Sequence, residues 1–320
     1  FEMRFMEFHK VACFGTGLVG GSWATLFALK GIEVILYDLN EDAANEAVKR
    51  VESNLDALIR EGVIEKDRKK KAIEDIRTAP SLKEAAKGVE YIQESVFEDY
   101  SIKKEVYSKL DRLTSSNVIL ASSSSGLLMS KIQKGATRPE RCVIAHPWNP
   151  PHLIPLVEIV PGEKTSRDTV EKTRRFMSDI GKIPVVLNKE VPGFIGNRLS
   201  AALWREAINL LNDGVASAED IDKALYAGPG FRWAIMGPFM TYHLGGGEGG
   251  IRKFIDGIGR TFSNYWKTMN TWTSIPEEAI DKMIEEMNRV AGERQLNEIT
   301  NWRDKRILEL LRVLHPSTFE

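Results

Sequence analysis

The sequence predicts an α/β protein: a doubly wound, mostly parallel sheet with an inserted helical hairpin, followed by an all-α C-terminal domain. Three observations carry this. Short apolar runs alternate with charged helical stretches from residue 10 to about 188, a glycine-rich turn joins the first strand to the first helix, and beyond about 189 every periodic segment is helical. The 320 residues, 42% hydrophobic and 28% charged, suit a soluble globular chain of two domains, expected at 1–189 and 190–320.

Residues 10–38, KVACFGTGLVGGSWATLFALKGIEVILYD, read as strand, glycine turn, helix and a second strand ending in Asp38. Over 41–75 the period changes: Ala44, Val48, Val51, Leu55, Leu58 and Ile59 fall at helical spacing, Gly62 breaks the run, and a second helical stretch follows through Ile73. This is the inserted hairpin. Strands are then expected in VEYIQES (89–95), NVILASS (117–123), CVIAHP (142–147), LVEIV (156–160) and PVVL (184–187), separated by helices such as 100–113 and 166–180. After KEVPGFIGNR (189–198) the helical segments are 194–213, 217–227, 276–292 and 294–314. GGGEGG (245–250) follows helix-like sequence and lacks the lysine of a phosphate loop, so it reads as a flexible turn.

Charge excludes some partners. The 44 Lys and Arg against 45 Asp and Glu leave a net charge of −1, which gives no field to hold a nucleic acid; a small molecule is the expected partner. KDRKKK (66–71) is flanked and diluted by acids and reads as a solvated helix face. Cys13 and Cys142 lie in apolar strand-like runs and are expected as buried thiols rather than a disulfide. The opening FEMRFMEFHK has no apolar core of a signal peptide, and no apolar run reaches the roughly 18 residues of a spanning helix, so a cytoplasmic location without membrane insertion is expected.

Gly15, Gly17 and Gly20 form GxGxxG between a strand and a helix. The first glycine permits the tight turn, the second admits a pyrophosphate close to the backbone, and the third lets the helix pack closely. Asp38 ends the second strand 18 residues after Gly20, where a carboxylate accepts hydrogen bonds from ribose hydroxyls and repels a 2′-phosphate. This pattern belongs to a Rossmann-type dinucleotide site and favours NAD over NADP.

A dehydrogenase using NAD needs a group to exchange a proton with the alcohol. Of His9, His146, His152, His243 and His315, only His146 ends a predicted strand at the carboxyl edge of the sheet, and Glu158 is the only acid in the apolar run LIPLVEIVP. A hydrogen bond between them would orient and activate the imidazole. On spacing alone, a capped core histidine and an acid on an exposed strand face remain alternatives.

The segments GTGLVGGSWA, YIQESVFEDYSIKK, ILASSSSGLL, VIAHPWNPPHLIPLVEIVPGEKTS and PGFIGNRL together resemble the L-3-hydroxyacyl-CoA dehydrogenase family, with agreement spread from residue 11 to about 245. Within it, SSSSGLL, HPWNPP, GPGFRWAIMGP and GGGEGG look most like the branch of L-gulonate 3-dehydrogenase (lambda-crystallin) and L-carnitine dehydrogenase, which act on free 3-hydroxy acids. The resemblance implies His146 as general base, Glu158 as its orienting carboxylate, and Ser125 and Asn197 as groups holding the reacting oxygen, with Asn197 coming from the first helix of the second domain. It places Glu98, Lys103 and Ser123 near the cofactor, although Glu98 and Lys103 otherwise read as a helix-start acid and a solvated lysine. It further implies a homodimer through the helical domain. Ser123 stands where the acyl-CoA enzymes carry asparagine, and Phe97 and Tyr100 make their segment bulky.

Arg232 could hold a free carboxylate by a bidentate pair, which a thioester would not require. Carnitine would call on aromatic faces such as Tyr265, Trp266 and Trp272, and gulonate on polar partners such as Asn149, His152 and Tyr242. The alternatives are a 3-hydroxyacyl-CoA dehydrogenase, to which the KDRKKK charge would be useful, and a nucleotide-binding structural protein of the crystallin kind.

Overall fold

The computed structural model describes residues 7–319. Residues 1–6, part of the segment on which the signal-peptide expectation rests, lie outside the described residues. The chain forms two compact units: the first runs to Asn197 and takes back the chain from Trp302 onward, and the second is Arg198–Asn301. The division therefore differs from a single cut near 189. Helical periodicity identifies the last segment as a helix without telling which unit it packs on.

In the first unit the strands are β1 (Lys10–Phe14), β2 (Glu33–Tyr37), β3 (Ile76–Thr78), β4 (Tyr91–Glu94), β5 (Ile119–Ser122), β6 (Cys142–Pro147), β7 (Leu156–Pro161) and β8 (Ile183–Val186). They make one sheet in the order β3-β2-β1-β4-β5-β6-β7-β8. Strand β3 was not foreseen: it has three residues, two of them exposed, and no alternation to betray it. All pairings are parallel except β6 with β7. The eight residues between Pro147 and Leu156 are too few for a helical crossover, so the chain can only return antiparallel. That return sets His146 directly opposite Glu158 in the register.

Helix α1 (Leu18–Leu29) is buried on nearly all sides and carries a stacked pair, Trp23 and Phe27, with ring centroids 5.3 Å apart. Its outer side is covered by the hairpin of α2 (Glu41–Arg60) and α3 (Lys66–Glu74), whose Ala47, Val51, Leu55 and Ala72 join the same core. Lys66, Lys70 and Lys71 are exposed as expected, but Arg68 turns inward to the carbonyls of Phe319 and Leu29, and Lys69 pairs with Asp56 at 2.6 Å. The final helix also returns here, with Leu308 in this core and Arg312 donating to the Glu61 carbonyl. Cys13 and Cys142 are buried and free.

Helix α4 (Tyr100–Leu113) ends at a buried charge cluster far from the glycine turn in sequence. Asp111 accepts from the Thr137 backbone N–H (2.9 Å) and from Arg141 Nη2 (2.7 Å), and Arg141 reaches on to the carbonyls of Ser115 and Val118. Burial alone would raise the Asp111 pKa, but the bonds from Thr137 and Arg141 bring it down to about 2, below the roughly 3.9 of an unfolded chain. The stabilisation it gives is present above about pH 4 and is lost as the pH falls toward 2. Asp111→Asn is expected to lower the melting temperature at neutral pH and to flatten its decline between pH 4 and 2. Thermal melts across that window check this, and a native slope in the variant would overturn it.

The second unit is helical: beyond the start of the helix Gly196–Asn212 it contains Ala218–Ala227, Pro229–Trp233, Pro238–Gly245, Gly250–Asp256, Phe262–Trp266 and Glu277–Ala291. The short helices between 229 and 266 fill a stretch that had no expected element. Their aromatic side chains gather around Phe262, with Tyr242 and Tyr265 at 5.6 and 5.7 Å. GGGEGG contains the 3-10 turn Gly247–Gly249, and a Cβ at Gly246 would collide with the Gly250 carbonyl and one at Gly250 with the His243 ring. Among the described residues, no helix is long and apolar enough to cross a membrane.

Candidate active site

The turn after β1 shows why three glycines are needed. Gly15 has φ +82°, and a Cβ there would strike the Ser95 carbonyl; one on Gly20 would strike the carbonyl of Gly15. Gly17, at the start of α1, has nothing within 4 Å of its would-be Cβ, so the helix N-terminus is open to an approaching anion. Asp38 at the end of β2 is held toward this turn: its Oδ2 accepts from the Thr16 backbone N–H (2.8 Å) and hydroxyl (3.1 Å). Gly15, Gly17, Asp38, Ser95 and Val96 share the lining of a cavity of about 340 Å³. The open face of Gly17 and the carboxylate at the strand end fit a dinucleotide.

A second cavity, about 210 Å³, shares Ser95 and Val96 with the first and is also lined by Glu98, Lys103, Ser123, Ser125 and His146. His146 Nδ1 lies 2.9 Å from Oε2 of Glu158, whose side chain is only 1% exposed. This excludes an acid on an exposed strand face. The other oxygen, Oε1, accepts the N–H groups of Ile195 (2.8 Å) and Gly196 (2.9 Å) at the beginning of the helix Gly196–Asn212. Left-handed conformations at Gly193 (φ 76°) and Phe194 (φ 52°) precede these amides. Such a conformation costs a non-glycine residue on the order of 1 kcal/mol, which the full burial of Phe194 beside the His146 ring offsets. Burial of Glu158 favours its neutral form, but the bond from His146 and the two amides outweigh it and hold the carboxyl below its ordinary range. The Nδ1 of His146 is thus committed to Glu158, and Nε2 is the nitrogen left for a ligand in the cavity.

Serines at the end of β5 build the rest of the wall. Ser123 Oγ accepts from Gln93 Nε2 (2.7 Å) and Trp23 Nε1 (3.2 Å) and bonds Ser95 Oγ at 2.8 Å. Glu98 Oε1 accepts the Ser124 hydroxyl (2.6 Å) and the amides of Ser125 and Gly126 (2.9 and 3.2 Å). Asn197 Nδ2 donates to the Ser125 carbonyl at 2.8 Å, so both residues stand together within the first unit. Lys103 is 1% exposed and pairs with Glu94 at 2.7 Å, which overturns its reading as a solvated lysine.

Residues 10–191 match the NAD-binding domain of 3-hydroxyacyl-CoA dehydrogenase, and residues 193–289 match the C-terminal domain of the same enzyme. The chain belongs to the 3-hydroxyacyl-CoA dehydrogenase family. It is 37% identical over 302 residues to an L-carnitine dehydrogenase of Oceanobacillus iheyensis, covering 94% of this chain and 97% of that one. It is also 37% identical to an L-carnitine dehydrogenase of Streptomyces coelicolor, over 95% of this chain and 94% of the other. Among solved structures it is similar to 5-formyl-3-hydroxy-2-methylpyridine 4-carboxylic acid 5-dehydrogenase, an NAD+-dependent dismutase, with a TM-score of 0.80 at 28% identity over 96% of this chain and 98% of that one. This 3-hydroxyacyl-CoA dehydrogenase family member is an NAD-dependent oxidoreductase.

Within the first unit, one expected residue of the family member is turned to a different partner. His152 is buried with Nδ1 2.6 Å from the Ser22 hydroxyl, and burial, reinforced by the Lys182 charge, pushes its pKa down to about 3. It ties the β6–β7 loop to α1 instead of facing a ligand. Lys182 grips the same loop from below through the carbonyls of Pro151 and Ile154. Arg232, Tyr242, Tyr265, Trp266 and Trp272 belong to the second unit, where Arg232 is exposed on the helix Pro229–Trp233. Glu94, Ser95 and Gln93 were missed. The signal was available in the polar Gln93 and Glu94 that close β4 and the Ser95 that follows it.

Proposed function

We propose that this protein oxidises the 3-hydroxyl of a small free L-3-hydroxy acid, carnitine-like in size, to the 3-keto acid, with His146 as general base. The observation that carries this is that His146, bonded to the buried Glu158, lines a cavity that shares Ser95 and Val96 with the one at the glycine turn. NAD, when bound, supplies the acceptor for the hydride leaving C3. His146 Nε2 takes the hydroxyl proton as that hydride departs, so the alcohol loses two electrons and two hydrogens in all. Glu158 keeps the imidazole oriented and balances the charge it acquires. Ser125 and Asn197 hold the reacting oxygen, Asp38 and the three glycines hold the adenosine and pyrophosphate, and Glu98, Lys103 and Ser123 border the nicotinamide.

Similarity to enzymes named L-carnitine dehydrogenases favours a free acid, and Arg232 is the group we assign to its carboxylate. A 3-hydroxyacyl-CoA substrate is the second reading, favoured by the family itself and by the exposed Lys66, Lys70 and Lys71. A purely structural, crystallin-like role leaves the intact base and carboxylate without a purpose. NADH formation with L-carnitine, L-gulonate, 3-hydroxybutyrate and 3-hydroxybutyryl-CoA tests the assignment. The free acids are expected to turn over, and Arg232→Ala is expected to raise their Michaelis constants at least about tenfold while sparing the thioester. Turnover of the thioester alone would reject the proposal.

The same reading includes a cytoplasmic location, consistent with two unpaired thiols, and a homodimer through the helical unit. Large apolar side chains are exposed there, among them Trp204 (56%), Phe239 (87%) and Trp266 (63%). Light scattering is expected to give the mass of two chains, and a monomer at micromolar concentration would reject the dimer.

A further inference from the structure

Glu94 closes β4 with 1% of its side chain exposed, and proton transfer from a hydroxyl does not call for it. Its Oε1 accepts from Lys103 Nζ and from the Val96 backbone N–H, both at 2.7 Å, and its Oε2 accepts the Ser122 hydroxyl at 2.7 Å. Lys103, equally buried, also stands 3.5 Å from Oε2 of Glu98. Two carboxylates thus share one ammonium. By formal charge the trio keeps one negative charge, and two of its members, Glu98 and Lys103, line the cavity that holds His146.

A simple buried ion pair would be neutral and would serve packing alone. The third member changes the sign of the wall. Glu98 is kept ionised: burial opposes the charge, but the Ser124 hydroxyl, Lys103 and the amides of Ser125 and Gly126 together hold its carboxyl below the ordinary range. The nicotinamide ring is cationic in NAD+ and neutral in NADH, so a wall of net negative charge attracts one and is indifferent to the other.

We propose that Glu94, by cancelling the charge of Lys103 and leaving that of Glu98 uncompensated, makes this cavity discriminate oxidised from reduced cofactor. This rests on the assignment of the cavity to the nicotinamide end of NAD. Glu94 need not touch the cofactor; it is a specificity-determining residue that acts through the cation beside it. A shift of affinity toward NAD+ raises occupancy by the oxidised cofactor and speeds release of the reduced one, while the overall equilibrium of the reaction is unchanged.

The test is the pair of dissociation constants for NAD+ and NADH, measured by calorimetry on the native protein and on variants. Glu94→Gln keeps the side chain's shape and leaves Lys103 and Glu98 to cancel, so NAD+ is expected to weaken relative to NADH by about tenfold. The double variant Glu94→Gln/Lys103→Met removes both charges of the buried pair, leaves Glu98 alone with the native net charge, and is expected to restore the native ratio. A role in shape alone would weaken both cofactors alike and would not be rescued by the double variant; either result overturns the proposal. If Glu94→Gln fails to fold, Glu98→Gln, at a side chain 40% exposed, removes the same charge and is expected to shift the ratio the same way. An unchanged ratio there overturns it too. Native protein that binds neither cofactor would instead refute the cofactor assignment, so the two failures are told apart.

Discussion

His146→Gln is expected to reduce turnover by about three orders of magnitude, within the range general-base catalysis supplies, while leaving the melting temperature and NAD affinity close to native. The glutamine side chain can still donate toward Glu158, so the buried carboxylate keeps its partner and the fold keeps its charge balance. What is lost is a ring nitrogen able to accept the substrate's proton. Residual activity should rise with added hydroxide, since the alcohol must then lose its proton to solvent. Near-native turnover in this variant would reject His146 as the base.

Glu158→Gln is expected to cost nearly as much, about a thousandfold in turnover, for a different reason. Oε1 of Glu158 receives two backbone N–H donors, so the amide of the variant must present its oxygen to Ile195 and Gly196 and its NH2 to His146. Nδ1 then becomes the acceptor of the ring, and the proton moves to Nε2, the nitrogen that should receive the substrate's proton. Carboxamide replacement in a comparable histidine–carboxylate pair of serine proteases costs about 10⁴-fold by the same exchange of tautomers. Folding should be little affected, because the isosteric amide keeps both backbone donors at its oxygen and gives Nδ1 a hydrogen bond in place of the one the carboxylate received. A variant with native turnover would show that Glu158 serves packing only. Steady-state kinetics, with thermal melts as the control, measures both variants.

Much of this was legible in residues with strong local constraints. The glycine turn, Asp38 and the strand endings carry backbone chemistry that few other sequences satisfy, and alternation of short apolar runs marks a sheet buried on both faces. His146 and Glu158 could be paired because each is the odd polar residue of an apolar strand. What stayed hidden depends on tertiary placement. Lys103 looks like any exposed helix lysine until Glu94 and Glu98 meet it, and the end of the chain gives the same periodicity whichever unit it joins. His152 stood among the polar partners a gulonate-like substrate would call on, while its actual partner, Ser22, is 130 residues away.

The reversed strand pair also divides the assembly of the site in time. His146 and Glu158 are twelve residues apart and are brought together by one hairpin, so little chain entropy is lost when they meet. The cofactor side is built from contacts such as Trp23 with Ser123, 100 residues apart, which form only when β1, β4 and β5 have all docked. Contacts of such separation are slow to form. In a full-length chain refolding from the unfolded state, the acid–base pair therefore costs less chain entropy to bring together than the cofactor wall, and chemical competence waits on the long-range contacts rather than on the catalytic residues themselves.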